Sequence, residues 1–277
     1  MIRAGVMGWP IEHSRSPLLH GFWLRHYAID GDYVKLPVKP TELAAALRGL
    51  KAQGFAGCNL TQPHKEAALA LVDRTDAAAR RIGAVNTVVV GEDGSLEGRN
   101  TDAFGFHANL AATVADWRAD AGPAVVLGAG GAAHAVAAAL LDHGAGEIRL
   151  LNRHRARAEA LAAALGGPVS VLDWSERDAA LDGAALLVNA TSLGQNGQPP
   201  LELTLDALPR RAVVNDIVYV PLETALLNAA RARGNAAVDG LGMLLHQARP
   251  AFAAWFGIMP EVMPELRRLA EASLAPS

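Results

Sequence analysis

A two-domain α/β fold is what this 277-residue chain predicts, and three observations predict it. Strand-like apolar runs alternate with helix-like segments along most of the sequence, the rhythm of α/β structure. The alternation pauses near residues 102–122 and then restarts. The restart opens with Gly128-Ala129-Gly130-Gly131-Ala132, a glycine-rich turn between a strand and a helix, as in a doubly wound parallel sheet.

Taken in order, strands are expected at residues 2–7, 32–36, 55–60 and 85–90, with helices at 17–27, 41–53, 64–72 and 75–82. Pro17 suits a first helical turn, where its missing N–H would have no partner. Glu92-Asp93-Gly94-Ser95 signals a hairpin turn into a strand at 95–98, so this sheet has an antiparallel edge. A connecting helix is expected at 102–117, then a loop at 119–123. Beyond it strands are expected at 124–127, 147–151, 169–172, 185–189, 212–217 and 236–238, with helices at 132–143, 153–165 and 224–233. The tail, 241–275, reads as helical, with Pro260 and Pro264 marking a break and a restart. The division drawn from this is residues 1–105, residues 106–240, and C-terminal helices over 241–277.

Composition narrows the function. Hydrophobic residues make up 51% of the chain and the net charge is −3, so a basic stripe for nucleic acid is absent. Arg153, Arg155 and Arg157 form a small knot that suits a phosphate and not a duplex. Cys58 is the only cysteine, which excludes an internal disulfide and reads as a small buried residue. The nine histidines show no metal-site spacing, so no metal is expected. The first residues read as a strand and turn rather than a signal peptide. Residues 121–141 are apolar, but their glycines and Pro123 fit a strand, a phosphate loop and a buried helix better than a membrane span. The expectation is a cytoplasmic protein, monomer or homodimer, whose partner is a small molecule.

The turn at Gly128 to Ala132 follows the apolar run Val125-Val126-Leu127. Its glycines let the backbone approach a pyrophosphate, whose charge would face the positive end of the next helix. An NAD fold carries Asp or Glu about 20 residues past this loop to hold the ribose. Here the position holds Asn152-Arg153, with His154 and then Arg157 four residues after Arg153. A guanidinium there favours a 2′-phosphate through charge-assisted bonds; the alternative is a pair of solvated helix arginines. The balance favours NADP over NAD. Thr191 and Ser192, in Asn189-Ala190-Thr191-Ser192, follow a hydrophobic strand; they either touch the cofactor or form an ordinary polar loop.

On the substrate side, Ser14 and Ser16 precede a helix, where they either hold a carboxylate or cap the helix. Asn59, Thr61 and Lys65 follow a strand end, and Asn86 stands early in the next strand. Lys65 and Asp102 carry weight together. Reduction of a ketone needs a proton donor for the developing alkoxide, alcohol oxidation needs a base, and a lysine with a carboxylate partner does both.

The ordered pieces Ser14-Arg15-Ser16-Pro17, Asn59-x-Thr61-x-Pro63-x-Lys65, Gly83-Ala84-Val85-Asn86-Thr87, Asn100-Thr101-Asp102, Gly128 to Ala132, Asn152-Arg153, Asn189-Ala190-Thr191-Ser192, Asp216-Ile217-Val218-Tyr219-x-Pro221 and Gly240-x-Gly242-Met243-Leu244 to Gln247 resemble the shikimate dehydrogenase family over nearly the whole chain. The resemblance implies reversible reduction of 3-dehydroshikimate to shikimate with NADP(H), on the way to aromatic amino acids. It implies an N-terminal α/β substrate domain and a C-terminal Rossmann-type NADP domain, an active-site cleft between them, and last helices that return to the first domain. By the same resemblance Ser14 and Ser16 would hold the substrate carboxylate with Tyr219 nearby. Asn59, Thr61, Asn86, Asp102 and Gln247 would bind ring hydroxyls, and Lys65 would be the acid/base paired with Asp102. Gly128, Ala129, Gly130, Gly131, Ala132, Asn152, Arg153, His154, Arg157, Thr191 and Ser192 would hold the dinucleotide, with Ile217, Gly240 and Met243 at its nicotinamide end.

The chain departs from the family pattern in places. Gln62 and His64 fill variable slots, and His64 either tunes Lys65 or stands solvated at a helix start. His154 stands where a hydroxyl residue is common, with Arg155 a candidate to compensate, and Ala225 stands where a proline is frequent. Three other readings stay open. A quinate/shikimate dehydrogenase or paralogue is the nearest, since one added hydroxyl is discriminated modestly unless the site is closed. A non-catalytic NADP-binding sensor is disfavoured by the presence of both Lys65 and Asp102. A methyltransferase is disfavoured by Arg153 and Arg157.

Overall fold

In the computed structural model, which describes residues 1–274, the chain divides into two units. One comprises Met1–Thr101 with Gln247–Ser273, and the other the intervening residues from Asp102 to His246.

The first unit is built on a six-stranded mixed sheet. Its elements are β1 (Ile2–Gly8), α1 (Ser16–His26), β2 (Gly31–Pro37), α2 (Leu43–Gly49), β3 (Phe55–Leu60), β4 (Arg74–Thr75), α3 (Ala77–Ile82), β5 (Thr87–Val90) and β6 (Leu96–Arg99). The strand order is β2-β1-β3-β5-β6-β4, with β1, β2 and β3 parallel and β5 antiparallel to both neighbours. Alternation gives the central strands two different faces. Met7, Cys58, Leu60 and Val88 join one apolar cluster with Leu43 and Leu47 of α2. Register places Ala4, Tyr33, Gly57, Asn59 and Thr87 on the opposite face.

That second face is covered by aromatic side chains. Trp23 of α1 packs edge-on against Phe252, and Trp255 donates its indole N–H to the Val88 carbonyl at 3.0 Å. Gly57 is obligatory here, because a Cβ would lie 2.0 Å from the Val88 carbonyl and 2.2 Å from the Trp255 nitrogen.

The second unit holds α4 (Asp102–Thr113), β7 (Ala124–Leu127), α5 (Gly131–Asp142), β8 (Ile148–Leu151), α6 (Arg155–Leu165), β9 (Val169–Leu172), β10 (Leu186–Asn189), β11 (Val213–Asp216), α7 (Ala225–Arg233) and β12 (Ala236–Val238). Its six strands are all parallel, in the order β12-β11-β10-β7-β8-β9. Numbered within the sheet this is the Rossmann order, which reverses between β7 and β10. The central strands β7, β10 and β11 are buried on both faces, as the inside of a parallel sheet requires. Val126, Leu150 and Val188 face one cluster with Val136 and Leu140 of α5, while Val125, Leu127 and Leu187 face another with Leu227 of α7. Each such Val or Leu contributes roughly 1.5–3 kcal/mol by leaving water.

The last helices are α8 (Gly240–Phe256) and α9 (Pro264–Ala272). The division between units falls inside α8, between His246 and Gln247. Among the described residues no helix is long and apolar enough to cross a membrane, and the apolar run at 121–141 resolves into β7, a loop and α5.

Several sequence expectations are corrected. Residues 64–72 are not an α-helix but a turn followed by a single 3₁₀ turn, Ala67–Ala70. The backbone is drawn to the sheet instead, Asp73 and Asp76 donating to the carbonyls of Leu96 and Gly98, and Arg74–Thr75 becomes an unforeseen edge strand. Helix α4 stops at Thr113 rather than 117, and Asp116 takes a left-handed φ of 56°. The tail is not helical throughout. Its break begins at Gly257, with φ of 78°, and lasts to Met263, while residues 275–277 lie outside the described residues.

Candidate active site

The substrate-side residues gather at the carboxyl end of β3, the amino end of the antiparallel β5 and the start of α1. Ser14 precedes α1 and Ser16 begins it; the Ser16 N–H donates to Ser14 Oγ at 3.4 Å. The residue before the helix, Arg15, makes no capping bond with its side chain. Thr61 follows β3 and is fixed by its N–H bond to the Met7 carbonyl at 3.0 Å. Lys65 lies in the turn beyond, half-buried, its carbonyl accepting the Val85 N–H at 2.8 Å. That bond ties the lysine turn to the residue before Asn86.

Asn86 is 2% exposed and centres a buried polar cluster. Its Oδ1 accepts the Thr101 N–H at 3.0 Å and its Nδ2 donates to Thr101 Oγ1 at 3.0 Å. The Thr101 hydroxyl also reaches Gln247 Oε1, on α8, at 3.4 Å. Asn59 contributes from β3, donating to the Asn86 carbonyl and to Thr87 Oγ1, both at 3.1 Å. Asp102, 9% exposed, is joined to Thr101 by one peptide bond and opens α4. Within the first unit, amides, hydroxyls and a lysine make a set suited to a polyhydroxylated ring and a proton transfer.

The nucleotide-side residues stand at the carboxyl edge of the parallel sheet. Gly128 takes φ of 116°, and a Cβ there would lie 2.7 Å from the Ala190 carbonyl, so only glycine fits. Gly130 and Gly131 are exposed at the start of α5, and a Cβ at either meets nothing within 4 Å. Those open positions beside free helix N–H groups form a cradle that fits a pyrophosphate. The loop after β10 supplies Thr191 and Ser192, on the other side of the switch point from Gly128. The hydroxyl of Thr191 donates to Asn189 Oδ1 at 2.7 Å, whereas Ser192 is exposed.

The three arginines after β8 differ. Arg155 is bound to Asp173 and Glu159, each at 2.8 Å, which removes it as a compensating phosphate ligand. Arg153 and Arg157 are exposed and make no ion pair among the described residues. Helix α6 begins at Arg155 rather than 153, so Arg153 lies in the loop and not on a shared helix face with Arg157. Asn152 donates to the His154 carbonyl at 2.9 Å; His154 is used through its backbone, and its side chain is exposed.

At the end of β11, Asp216 is 1% exposed and accepts from Asn189 Nδ2, the Val218 N–H and Thr224 Oγ1 at 2.9, 3.1 and 2.7 Å. Burial pushes its carboxyl up to about 6, against those three bonds. This network fixes the loop carrying Ile217 and Tyr219, both half-buried. A Cβ on Gly240 would lie 2.1 Å from the Ile217 carbonyl, which brings the start of α8, with half-buried Met243, against that loop. Asp239 caps α8 by accepting the Leu241 N–H at 3.0 Å.

One expectation about an individual residue changes, for His64, and one holds, for Cys58. His64 does not stand solvated at a helix start; it is 1% exposed, with Nε2 2.7 Å from the Val38 carbonyl. Cys58 lies fully buried within β3, where burial pushes its thiol far up and makes it a poor nucleophile. Sequence reasoning gave no role to Tyr33 or Thr87, whose side chains complete the Asn59 cluster. Tyr33 carries no motif signal, and Thr87 closes the piece Gly83 to Thr87 with nothing in the sequence to say what its hydroxyl meets.

A Rossmann unit with a phosphate cradle, together with a unit carrying a lysine among amides and hydroxyls, defines a nicotinamide-dependent oxidoreductase. Residues 6–88 match the model of the shikimate dehydrogenase substrate binding domain, and residues 109–196 match that of shikimate / quinate 5-dehydrogenase. The chain is 62% identical over 264 residues to shikimate dehydrogenase (NADP(+)) of Paramagnetospirillum magneticum, covering 95% of this chain and 96% of that protein. Among solved structures, shikimate 5-dehydrogenase of Thermus thermophilus in complex with NADP(H) and shikimate superposes with a TM-score of 0.87, at 39% identity, covering 99% of this chain and 100% of that one. Quinate dehydrogenase of Corynebacterium glutamicum in complex with NAD gives 0.89 at 32% identity, covering 97% and 98%. The chain belongs to the shikimate dehydrogenase family.

Proposed function

We propose that this chain catalyses the reversible, NADPH-dependent reduction of 3-dehydroshikimate to shikimate. The observation that carries the reading is the cluster of buried Asn86 and Thr101 with half-buried Gln247, Thr101 standing next in sequence to Asp102. Neutral amides and hydroxyls at fixed spacing suit ring hydroxyls, which a phosphate or a nucleobase site would not require.

NADPH supplies the hydride; the residues of the chain bind, orient and move the proton. Gly128, Ala129, Gly130, Gly131 and Ala132 hold the pyrophosphate on α5, and Asn152, His154, Thr191 and Ser192 flank the dinucleotide. Arg153 and Arg157, exposed and without ion pairs among the described residues, take the 2′-phosphate. Ile217, Gly240 and Met243 shape the nicotinamide end.

Ser14 and Ser16 hold the substrate carboxylate with Tyr219, while Thr61, Asn86, Asp102 and Gln247 read the ring. Asn59 has both amide hydrogens engaged and its oxygen accepting from Tyr33, so only the second lone pair of that oxygen is left for a ring hydroxyl. Lys65 gives its ammonium proton to the developing alkoxide and, in the reverse direction, takes the hydroxyl proton as a free amine; Asp102 is its carboxylate counterpart. Residues 1–105 act as the substrate domain, 106–240 as the NADP domain, and the last helices complete the first.

The quinate alternative meets one discriminating feature in the arginines. Exposed guanidiniums after β8 favour NADP, whereas an NAD enzyme places a carboxylate there. Turnover of shikimate with NADP, against quinate and NAD, tests the reading. Comparable rates with quinate and NAD would replace it with the broader class.

A further inference from the structure

Under the proposed function Asn86 and Gln247 recognise ring hydroxyls, and the role inferred for Tyr33 rests on that reading. A side-chain amide offers a donor at one end and an acceptor at the other, so its orientation decides what it recognises. Beside the local bond from the Thr101 N–H to Asn86 Oδ1, the structure contains a series of bonds that supports this orientation from a distance.

The series starts at Tyr33, on β2, whose phenol donates to Asn59 Oδ1 at 2.6 Å. With its oxygen so fixed, Asn59 turns Nδ2 towards Thr87 Oγ1, donating at 3.1 Å. The Thr87 hydroxyl donates onward to Asn86 Oδ1 at 3.0 Å. Asn86 then presents Nδ2 to Thr101 Oγ1 at 3.0 Å, and the Thr101 hydroxyl meets Gln247 Oε1 at 3.4 Å. The Thr87 hydroxyl accepts from Asn59 and gives to Asn86, so this part of the series runs in a single direction. The Thr101 hydroxyl accepts from Asn86 Nδ2 and has two acceptors within reach, Asn86 Oδ1 at 3.2 Å and Gln247 Oε1 at 3.4 Å. Such aligned bonds strengthen one another in a buried setting.

The origin of the series is itself held rigid. The Tyr33 ring stacks on His20 at 3.9 Å with the planes 1° apart. His20 is fully buried and neither ring nitrogen has a hydrogen-bond partner; burial pushes it down to about 3, so it is a neutral packing surface. Burial also raises the Tyr33 phenol well above its ordinary value, while the Ser16 hydroxyl opposes the rise. The phenol therefore remains a donor throughout the working pH range. Its position beside both Ser16 and Asn59 links the serine turn to the amides.

We propose that Tyr33 is a positioning residue for substrate recognition: its hydroxyl sets the direction of the hydrogen-bond series through Asn59 and Thr87 that orients Asn86 and, through Thr101, Gln247 towards the ring hydroxyls of shikimate.

Tyr33→Phe keeps the ring and its stack on His20, and Thr87→Val cuts the series without touching the aromatic layer. Binding of shikimate and of NADP to the whole protein, measured by calorimetry, needs no turnover. Each variant is expected to weaken shikimate about tenfold, the effect of leaving a buried amide group without its partner, with NADP affinity unchanged. Because both substitutions break one series, the double variant is expected to bind shikimate no more weakly than the worse single one. Unchanged shikimate affinity in Tyr33→Phe, or equal losses for both ligands, overturns the positioning role. If the wild type turns over shikimate, that result leaves the proposed function standing. A wild type that does not bind shikimate overturns both.

Discussion

The two units prepare their polar groups in opposite ways. In the first, Asn59, Asn86 and Thr87 are 6%, 2% and 0% exposed and already bonded to one another. In the second, Gly130, Gly131, Arg153 and Arg157 are exposed, and the two arginines are without ion pairs among the described residues. The difference follows from the ligands proposed for them. A ring of neutral hydroxyls is recognised by donor and acceptor direction, which must be built in beforehand. A phosphate is recognised by charge and backbone N–H groups, which accept many approach angles. The first site should therefore be brittle and the second modular.

Lys65→Ala should break the chemistry of the first unit most severely. Turnover is expected to fall by roughly 10²–10⁴, the usual range for one acid/base, with both ligands still bound. Steady-state kinetics check it, and near-normal turnover would remove the assigned role.

Glycine substitutions sharpen the contrast next. At Gly131 a Cβ meets open space at the start of a helix, so Gly131→Ala should keep or raise stability, by up to about 1 kcal/mol. The same methyl stands in the phosphate cradle, so NADP affinity should fall about tenfold or more, on the order of one lost charged hydrogen bond. Thermal melts with and without NADP separate the two effects.

The arginines come third. Arg153→Ala should weaken NADPH by roughly ten- to a hundredfold and NADH hardly at all, as a charge-assisted contact predicts. Arg155→Ala, which removes exposed ion pairs to Asp173 and Glu159, should leave both cofactors alone and cost under about 1 kcal/mol of stability. Equal losses for NADPH and NADH in Arg153→Ala would mean it does not read the 2′-phosphate.

A further effect concerns pH and falls on stability rather than on turnover or binding. Asp216 has its carboxyl raised from 3.8 to about 6 by burial, so the folded state holds its proton more tightly than the unfolded chain. Its contribution is fully present below about pH 4 and is lost as the pH rises through about 6. The unfolding free energy of the wild type, relative to Asp216→Asn, should fall by on the order of 2–3 kcal/mol across that window. Denaturant titrations at several pH values check it; a flat difference would contradict the raised carboxyl.

How far the sequence discloses this molecule differs between the same two regions. The parallel sheet is legible because its central strands are buried on both faces and read as short apolar runs closed by glycine or polar turns. The glycine loop, Arg153 and the serine and lysine motifs are legible because each sits beside an element end. What is not legible is anything decided by distant pairing. Residues 64–72 have helical spacing, yet they form only a turn and a single 3₁₀ turn, and the chain just beyond runs along the edge of β6, where the Asp73 and Asp76 N–H groups find carbonyl partners. Arg155 looks like a phosphate ligand until Asp173, 18 residues on, takes it. Tyr33 lies in an ordinary alternating strand, and only the register of β2, β1 and β3 brings its hydroxyl to Asn59.

The most direct test is the absorbance of reduced nicotinamide, with purified protein and shikimate or quinate, each with NADP and then with NAD. Fast turnover of shikimate with NADP, and much slower turnover of every other pair, is the predicted result. Binding of NADP without turnover of any pair would contradict it, and would make the second unit a sensor's nucleotide site rather than half of an enzyme.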